Sequence, residues 1–319
     1  MMFRTIFFKY KAQLLTIMFV VSVSLLFPYC FTLFHWRTSV ISLASPKPYG
    51  KTVVIAGNGE STRLDVEEFI PLVLYSIMPD DYSEEQLKAM AVIIRTYIVY
   101  RLREQEKDSG QGETVRSESL GLPFTTYSEL EKKWGKKYEE NYNRTMNLIA
   151  ETNREVIYCG GEPIFPCYHE LSAGITNDGG EAYLCPVESK QDMTSPDYMR
   201  VLYFTADNLM EKLSVLPVEK METEQLAQMI TVSYKENSEY VENVKIGDTT
   251  VAIDEWQRLL GLPSQAFTFE PFADGFKFVS KGIGNGKGMS LYGAGKMAEE
   301  GKSYRDILYT YYTAVDIHS

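Results

Sequence analysis

The stretch GIGNGKGMSLYGAGKMAEEG, Gly282 to Gly301, places seven glycines in twenty residues directly after FKFVS, an alternating run that reads as a strand. A phosphate cradle, a structural turn and a ligand-binding or catalytic loop are the competing readings. A Walker A loop fails, because Gly288 stands where Ser or Thr must follow Lys287 and no glycine occupies the required upstream place. The dinucleotide pattern G-x-G-x-x-G fails as well, since Lys287 takes the place of its last glycine. What remains is a strand, a backbone that can pass close to another group, and a helix beginning near Met289 or Ser290. Such a place exposes N–H donors to hydroxyl, amide or carboxylate oxygens. Close packing at a sheet edge is the plain alternative.

Working outward, FTFEPFADGFKFVS reads as a hairpin, and VKIGDTTVAI as another that leads into the helix DEWQRLLGL. Helical pieces are expected to dominate from Ser195 to Asn243. EVIYCGGEP suggests a turn about Gly160-Gly161, and KTVVIAG with STRLDV suggests one about Gly57-Asn58-Gly59. The longest helical pattern follows Ser83, which has capping-box spacing to Gln86. Leu87, Met90, Ala91, Ile94, Ile98 and Leu102 fall on one face. Pro79 separates this helix from a shorter one before it. EQEKDSGQGETVRSE reads as a solvent loop, and YSELEKKWGKKYEENYNRTMNLIAET as further helix with a solvated charged face. Helices and hairpins interleave without a βαβ rhythm or internal repeat, so the fold class is α+β: helices packed on antiparallel strands and hairpins.

Between Lys11 and Arg37 no Asp, Glu, Lys or Arg occurs. At 1.5 Å per residue such a stretch crosses a hydrocarbon core of about 30 Å. Residues 13–34 are therefore expected to form one transmembrane helix after a cytoplasmic segment 1–12, whose Arg4, Lys9 and Lys11 favour that orientation. A Ser-, Pro- and Gly-containing linker, 35–51, leads to an extracytoplasmic domain, 52–319. A cleaved signal peptide is the competing reading, but the apolar stretch exceeds the usual h-region of about 7–15 residues. The net charge of -11 with no basic stripe excludes a nucleic-acid partner, whose phosphates need neutralising.

Beyond Cys30, three cysteines, Cys159, Cys167 and Cys185, cluster near His169. Cys167, His169 and Cys185 offer zinc ligands, whereas a disulfide between two of the cysteines would leave the third free.

GIGNGKGMSLYGAGKMAEEGKSYRDILYTYY resembles the C-terminal signature of the SpoIID/LytB (stage II sporulation protein D) family: a glycine-histidine-glycine run, GMSQYGA, then a helix leading to SY..IL..YY. LDVEEFIPLVLYSIMPDDYSEEQLKAMAVIIRTY is similar to its N-terminal signature, CYHELSAGITNDGG to its central element, and RLLGLPSQAFTF to the segment before the last hairpin. The motifs run in family order from Leu64 to Ile317. The resemblance implies a peptidoglycan lytic transglycosylase acting during engulfment of the forespore, or an enhancer of cell-wall amidases, and in some members a structural zinc. In catalytic members a glutamate before Met-Pro protonates the glycosidic oxygen and then accepts the proton released as the 1,6-anhydro ring closes.

Here the residue before Met78-Pro79 is Ile77, whose alkyl chain can do neither. Asn285 stands at the histidine position, and Leu291 replaces the glutamine of GMSQYGA. The expectation is a membrane-anchored protein binding peptidoglycan glycan strands between the Ile77 and Asn285 regions, with weak or lost cleavage. Lys287, Ser290 and Tyr292 are further contact candidates, and Tyr168 a lesser one. Glu67, Glu68, Asp80, Asp81, Glu84 and Glu85 could supply a relocated acid, although each also suits a helix start. A scaffold contacting other wall hydrolases and no glycan is the third reading.

Overall fold

The strand Thr52–Ala56 pairs antiparallel with Ser61–Asp65, as the hairpin reading expects, and parallel with Thr114–Arg116. In a computed structural model the chain is described over residues 46–56, 61–78, 82–217 and 223–319. The expected membrane span 13–34, the Gly57–Gly59 turn, Pro79, Asp80 and Asp81 lie outside these residues. Among the described residues no helix is long and apolar enough to cross a membrane.

Asp65 caps the helix Val66–Ile77, and Ser83 and Gln86 form the expected capping box for the 26-residue helix Glu84–Ser109. The predicted face of this long helix is buried, and so are Ala89, Val92 and Ile93. It is therefore a central post with apolar contacts on several sides. Val66–Ile77, Leu291–Glu299 and Tyr304–Tyr311 pack on it, and the larger core lies among them. Each fully buried Leu, Ile or Phe there stabilises by about 1.5–3 kcal/mol.

A second core lies under two antiparallel sheets. One is the hairpin Val241–Ile246/Thr249–Ala252, extended by Ile230–Tyr234. The other is the hairpin Ala266–Phe272/Gly275–Lys281, extended by Met199–Thr205. Helices Ala206–Leu213 and Ile253–Leu260 cover this core with Leu209, Leu213, Trp256 and Leu260. Two expectations change here. The region 195–243 is not mainly helical, because MRVLYFT and ITVSY are β-branched and aromatic segments that complete sheets. EQEKDS extends the long helix to its left-handed Gly110 cap, and TVR beyond it joins the first sheet, so that stretch is not a simple loop.

The strand Asp316–His318 pairs with Val156–Cys159, which also forms the expected hairpin with Glu162–Pro163. Gln86 Nε2 donates to the carbonyl of Leu291 at 2.9 Å, and Tyr304 N donates to Glu85 at 2.6 Å. Early and late parts of the chain thus share the larger core.

Candidate functional site

The strand Gly275–Lys281 delivers the chain into the glycine run, which is bonded to two neighbouring segments. Gly284 N donates to Pro263 O at 2.8 Å, while Asn177 N donates to Gly286 O at 2.7 Å. Met289–Ser290 then pairs in parallel with Tyr168–His169. Glycine is required at two steps. Gly286 and Gly288 have φ of 75° and 70°. A Cβ on Gly286 would overlap the Tyr240 ring, and one on Gly288 the carbonyl oxygen of Cys167. The run is therefore a tightly pinned crossing between the two cores.

His169 is 4% exposed, and its Nδ1 lies 3.0 Å from the carbonyl oxygen of Lys287. A carbonyl only accepts, so Nδ1 carries the proton and Nε2 a lone pair. Nε2 is buried without a hydrogen-bond partner among the described residues. Burial pulls the imidazole down from 6.5 to about 4, against the raising effect of the Lys287 carbonyl. Cys167, two residues earlier, is half-buried, and burial pushes its thiol up. Cys185 is exposed, and its thiol donates to Ala182 O at 3.4 Å. Cys159, Cys167 and Cys185 are all free of disulfides. The orphaned Nε2 suits a metal, but among the described residues no group of three or more His, Cys, Asp and Glu gathers around one point. Among the described residues Cys167, His169 and Cys185 are not gathered as the expected ligand set.

Ser290 is wholly buried and caps the helix Leu291–Glu299 by accepting from Gly293 N at 3.1 Å. Beside it, Asp192 accepts from Ser172 N at 2.9 Å, and burial raises its carboxyl. Ser189 Oγ and Tyr311 OH are 2.8 Å apart in the same interior. This network positions the helix that carries Tyr292.

A cleft of about 320 Å³ opens between the starts of the long helix and of Leu291–Glu299. Tyr82, Gln86, Glu170, Leu291, Tyr292 and Lys296 are on its walls. Tyr292 OH lies 3.3 Å from Thr194 Oγ1, and Tyr292 N donates to Glu170 O at 3.1 Å. Lys296 Nζ pairs with Glu299 at 2.8 Å and sits 5.6 Å above the Tyr292 ring. Tyrosine faces, an amide and charged groups suit a hydroxyl- and amide-rich ligand such as a sugar. Of the candidates named from sequence, Tyr292 lines this cleft, while neither Ile77 nor Asn285 does. Ile77 is half-buried against the larger core. Asn285 and Lys287 gather instead at Asn177, whose Nδ2 donates to Asn285 O at 2.8 Å.

Asp80 and Asp81 lie outside the described residues, and the other four suggested replacement acids are engaged elsewhere. Glu67 pairs with buried Arg95, Glu68 accepts from Asp65 N, Glu84 pairs with Arg144, and Glu85 pairs with Lys88. Besides Glu299, which pairs with Lys296, the cleft wall carries a second carboxylate that sequence reading missed, Glu170. It is exposed, with no hydrogen-bond or ion-pair partner for its carboxylate among the described residues. Its signal was strand alternation: it follows buried His169 in YHEL and therefore faces the other way.

A family profile described as SpoIID, stage II sporulation protein, matches residues 57–158. Stage II sporulation protein D of Bacillus amyloliquefaciens is 31% identical over 282 residues, covering 85% of this chain and 79% of that protein. Its namesake in Bacillus subtilis (strain 168) is 29% identical over 278 residues, with the same shares covered. An uncharacterized protein of Brachyspira hyodysenteriae is 28% identical over 291 residues, covering 85% of this chain and 70% of its own.

Proposed function

Because the chain belongs to the stage II sporulation protein D family, we propose that this sporulation protein is anchored by residues 13–34 and binds peptidoglycan glycan strands during cell-wall remodelling, with little or no lytic transglycosylase activity. The observation that carries the reading is Ile77. It stands before Met78-Pro79 at the end of its helix, with its alkyl chain against the larger core where proton transfer would need a carboxyl group. The cleft at Tyr82 and Tyr292 supports retained glycan binding.

A second reading rests on Glu170. Placed against a glycosidic oxygen, this carboxyl group would give up its proton as the bond breaks and take one from the C6 hydroxyl as the anhydro ring closes. Full-length protein in detergent, incubated with purified sacculi, tests both. Co-sedimentation without anhydro-muropeptides in the mass spectrum supports the binder. Robust anhydro-muropeptide release that Glu170→Gln abolishes supports the second reading. Failure to co-sediment sinks glycan binding and leaves a scaffold for other wall hydrolases.

A further inference from the structure

The walls of the proposed cleft share one buried acid that lies behind them. Asp192, 0% exposed, sits in the short 3-10 turn Lys190–Thr194 and is not itself on the cleft wall. Its Oδ2 accepts from Ser172 N at 2.9 Å, and Ser172 stands two residues beyond Glu170. In the same turn Thr194 Oγ1 lies 3.3 Å from Tyr292 OH. Asp192 Oδ1 faces the first turn of the helix Leu291–Glu299, where a Cβ added to Gly293 would press on it, on Ser189 Oγ and on Tyr311 OH. One side chain therefore meets the segment that carries Glu170, the turn that carries Thr194 and the helix start that carries Tyr292. The first and last of these are also joined directly, Tyr292 N donating to Glu170 O at 3.1 Å.

A carboxyl group is a costly choice for this interior. Oδ1 is buried without a hydrogen-bond partner among the described residues. The groups that bear on its charge are hydroxyls, those of Ser172, Ser189 and Ser290 and of Tyr198, Tyr240 and Tyr311. A leucine would fill a similar space without burying a polar group. It could neither accept from Ser172 N nor meet the polar first turn of the helix. What the acid contributes is register among segments far apart in the chain.

We infer that Asp192 is a positioning residue that fixes Glu170 and Tyr292 relative to one another across the cleft. Resting on the glycan reading above, this role makes affinity depend on a side chain the glycan does not reach.

Amide exchange of the full-length protein in detergent, and its calorimetric titration with a tetrasaccharide of alternating N-acetylglucosamine and N-acetylmuramic acid, test the role. Asp192→Ala should speed exchange at Ser172 and also at Tyr292. It should weaken tetrasaccharide binding about tenfold or more, since binding groups must be held within about 0.5 Å of their places. Asp192→Asn, which still accepts from Ser172 N, should restore both. In a Tyr292→Ala background, Asp192→Ala should lose much less affinity than in wild type, because it acts through that ring. A residue with a merely structural role would give equal losses in the two backgrounds. Unchanged exchange at Tyr292 in Asp192→Ala, wild-type affinity in that variant, or equal losses in both backgrounds would overturn the positioning role. If Asp192→Ala does not fold, Asp192→Ser, too short to reach Ser172 N, takes its place. Absence of tetrasaccharide binding by the wild type would sink the glycan reading, while exchange at Tyr292 would still decide whether Asp192 joins the two walls, so the two fail separately.

Discussion

Glu67 and Arg95 form a forked ion pair inside the larger core. Nε and Nη2 of Arg95 donate to the two carboxylate oxygens at 2.6 and 2.8 Å, with Glu67 1% and Arg95 0% exposed. The guanidinium also donates to Thr152 Oγ1 and to the carbonyl of Glu155, so this charge in the long helix ties down the turn before Val156–Cys159. Glu67→Gln should cost about 3–5 kcal/mol, the usual penalty for leaving a buried charge unpaired. Glu67→Leu combined with Arg95→Met should cost less than the summed single changes. Urea denaturation of the wild type, Glu67→Gln, the two single apolar variants and their combination checks both expectations.

Ile77→Glu restores a carboxyl group before Met78-Pro79. If this side chain is the missing catalytic element, the variant should raise anhydro-muropeptide release from sacculi by about 10²–10⁴ over wild type, the range of a positioned acid–base. Mass spectrometry of the soluble products reads the outcome, and no increase would place the loss of chemistry elsewhere.

Gly288→Ala sets a Cβ against the Cys167 carbonyl at a backbone φ of 70°. The parallel pairing of Met289–Ser290 with Tyr168–His169 should break, at a cost above about 1 kcal/mol from the left-handed backbone alone. A lower urea midpoint, with faster amide exchange at Met289, is the expected result.

His169 has a folded-state pKa of about 4, below its ordinary 6.5. Its stabilising contribution is complete above pH 6.5 and is lost as pH falls through about 4, because the unfolded chain binds the proton first. The full swing is on the order of 3 kcal/mol. Asp192 runs the other way: its carboxyl is raised, so its contribution is complete below 3.8 and falls as pH rises through the folded value. Denaturation between pH 4 and 7 should therefore lose a rising slope in His169→Gln.

Zinc is tested directly by metal analysis of reduced protein purified without added chelator. Stoichiometric zinc, lost in His169→Gln, would make the buried Nε2 a ligand; its absence ends that expectation.

The sequence made local structure legible where it carries its own signal. Ser83 and Gln86 announce the long helix, and Gly160-Gly161 a hairpin. What it concealed depends on contacts far along the chain. Nothing local distinguishes Glu67 from Glu68, yet one is buried against Arg95 and the other completes a helix cap. The glycines of 282–288 announced a close approach, but not that Tyr240 and Cys167 would be the groups approached. Glu170 was legible in principle through alternation after His169. Asp192 was not, because only the folded chain brings it to Ser172.

The pairing of Asp316–His318 with Val156–Cys159 has a consequence for biosynthesis. A ribosome that has made the long helix has not yet made Leu291, Tyr304 or Ile317, which Gln86, Glu85 and Ile157 need as partners. The nascent first half therefore carries an uncovered apolar post and must be kept from aggregating until His318 has emerged. Stalling before Leu291 has emerged should leave a polypeptide sensitive to proteases along most of its length, whereas emergence of the strand Asp316–His318 should turn it resistant in one step.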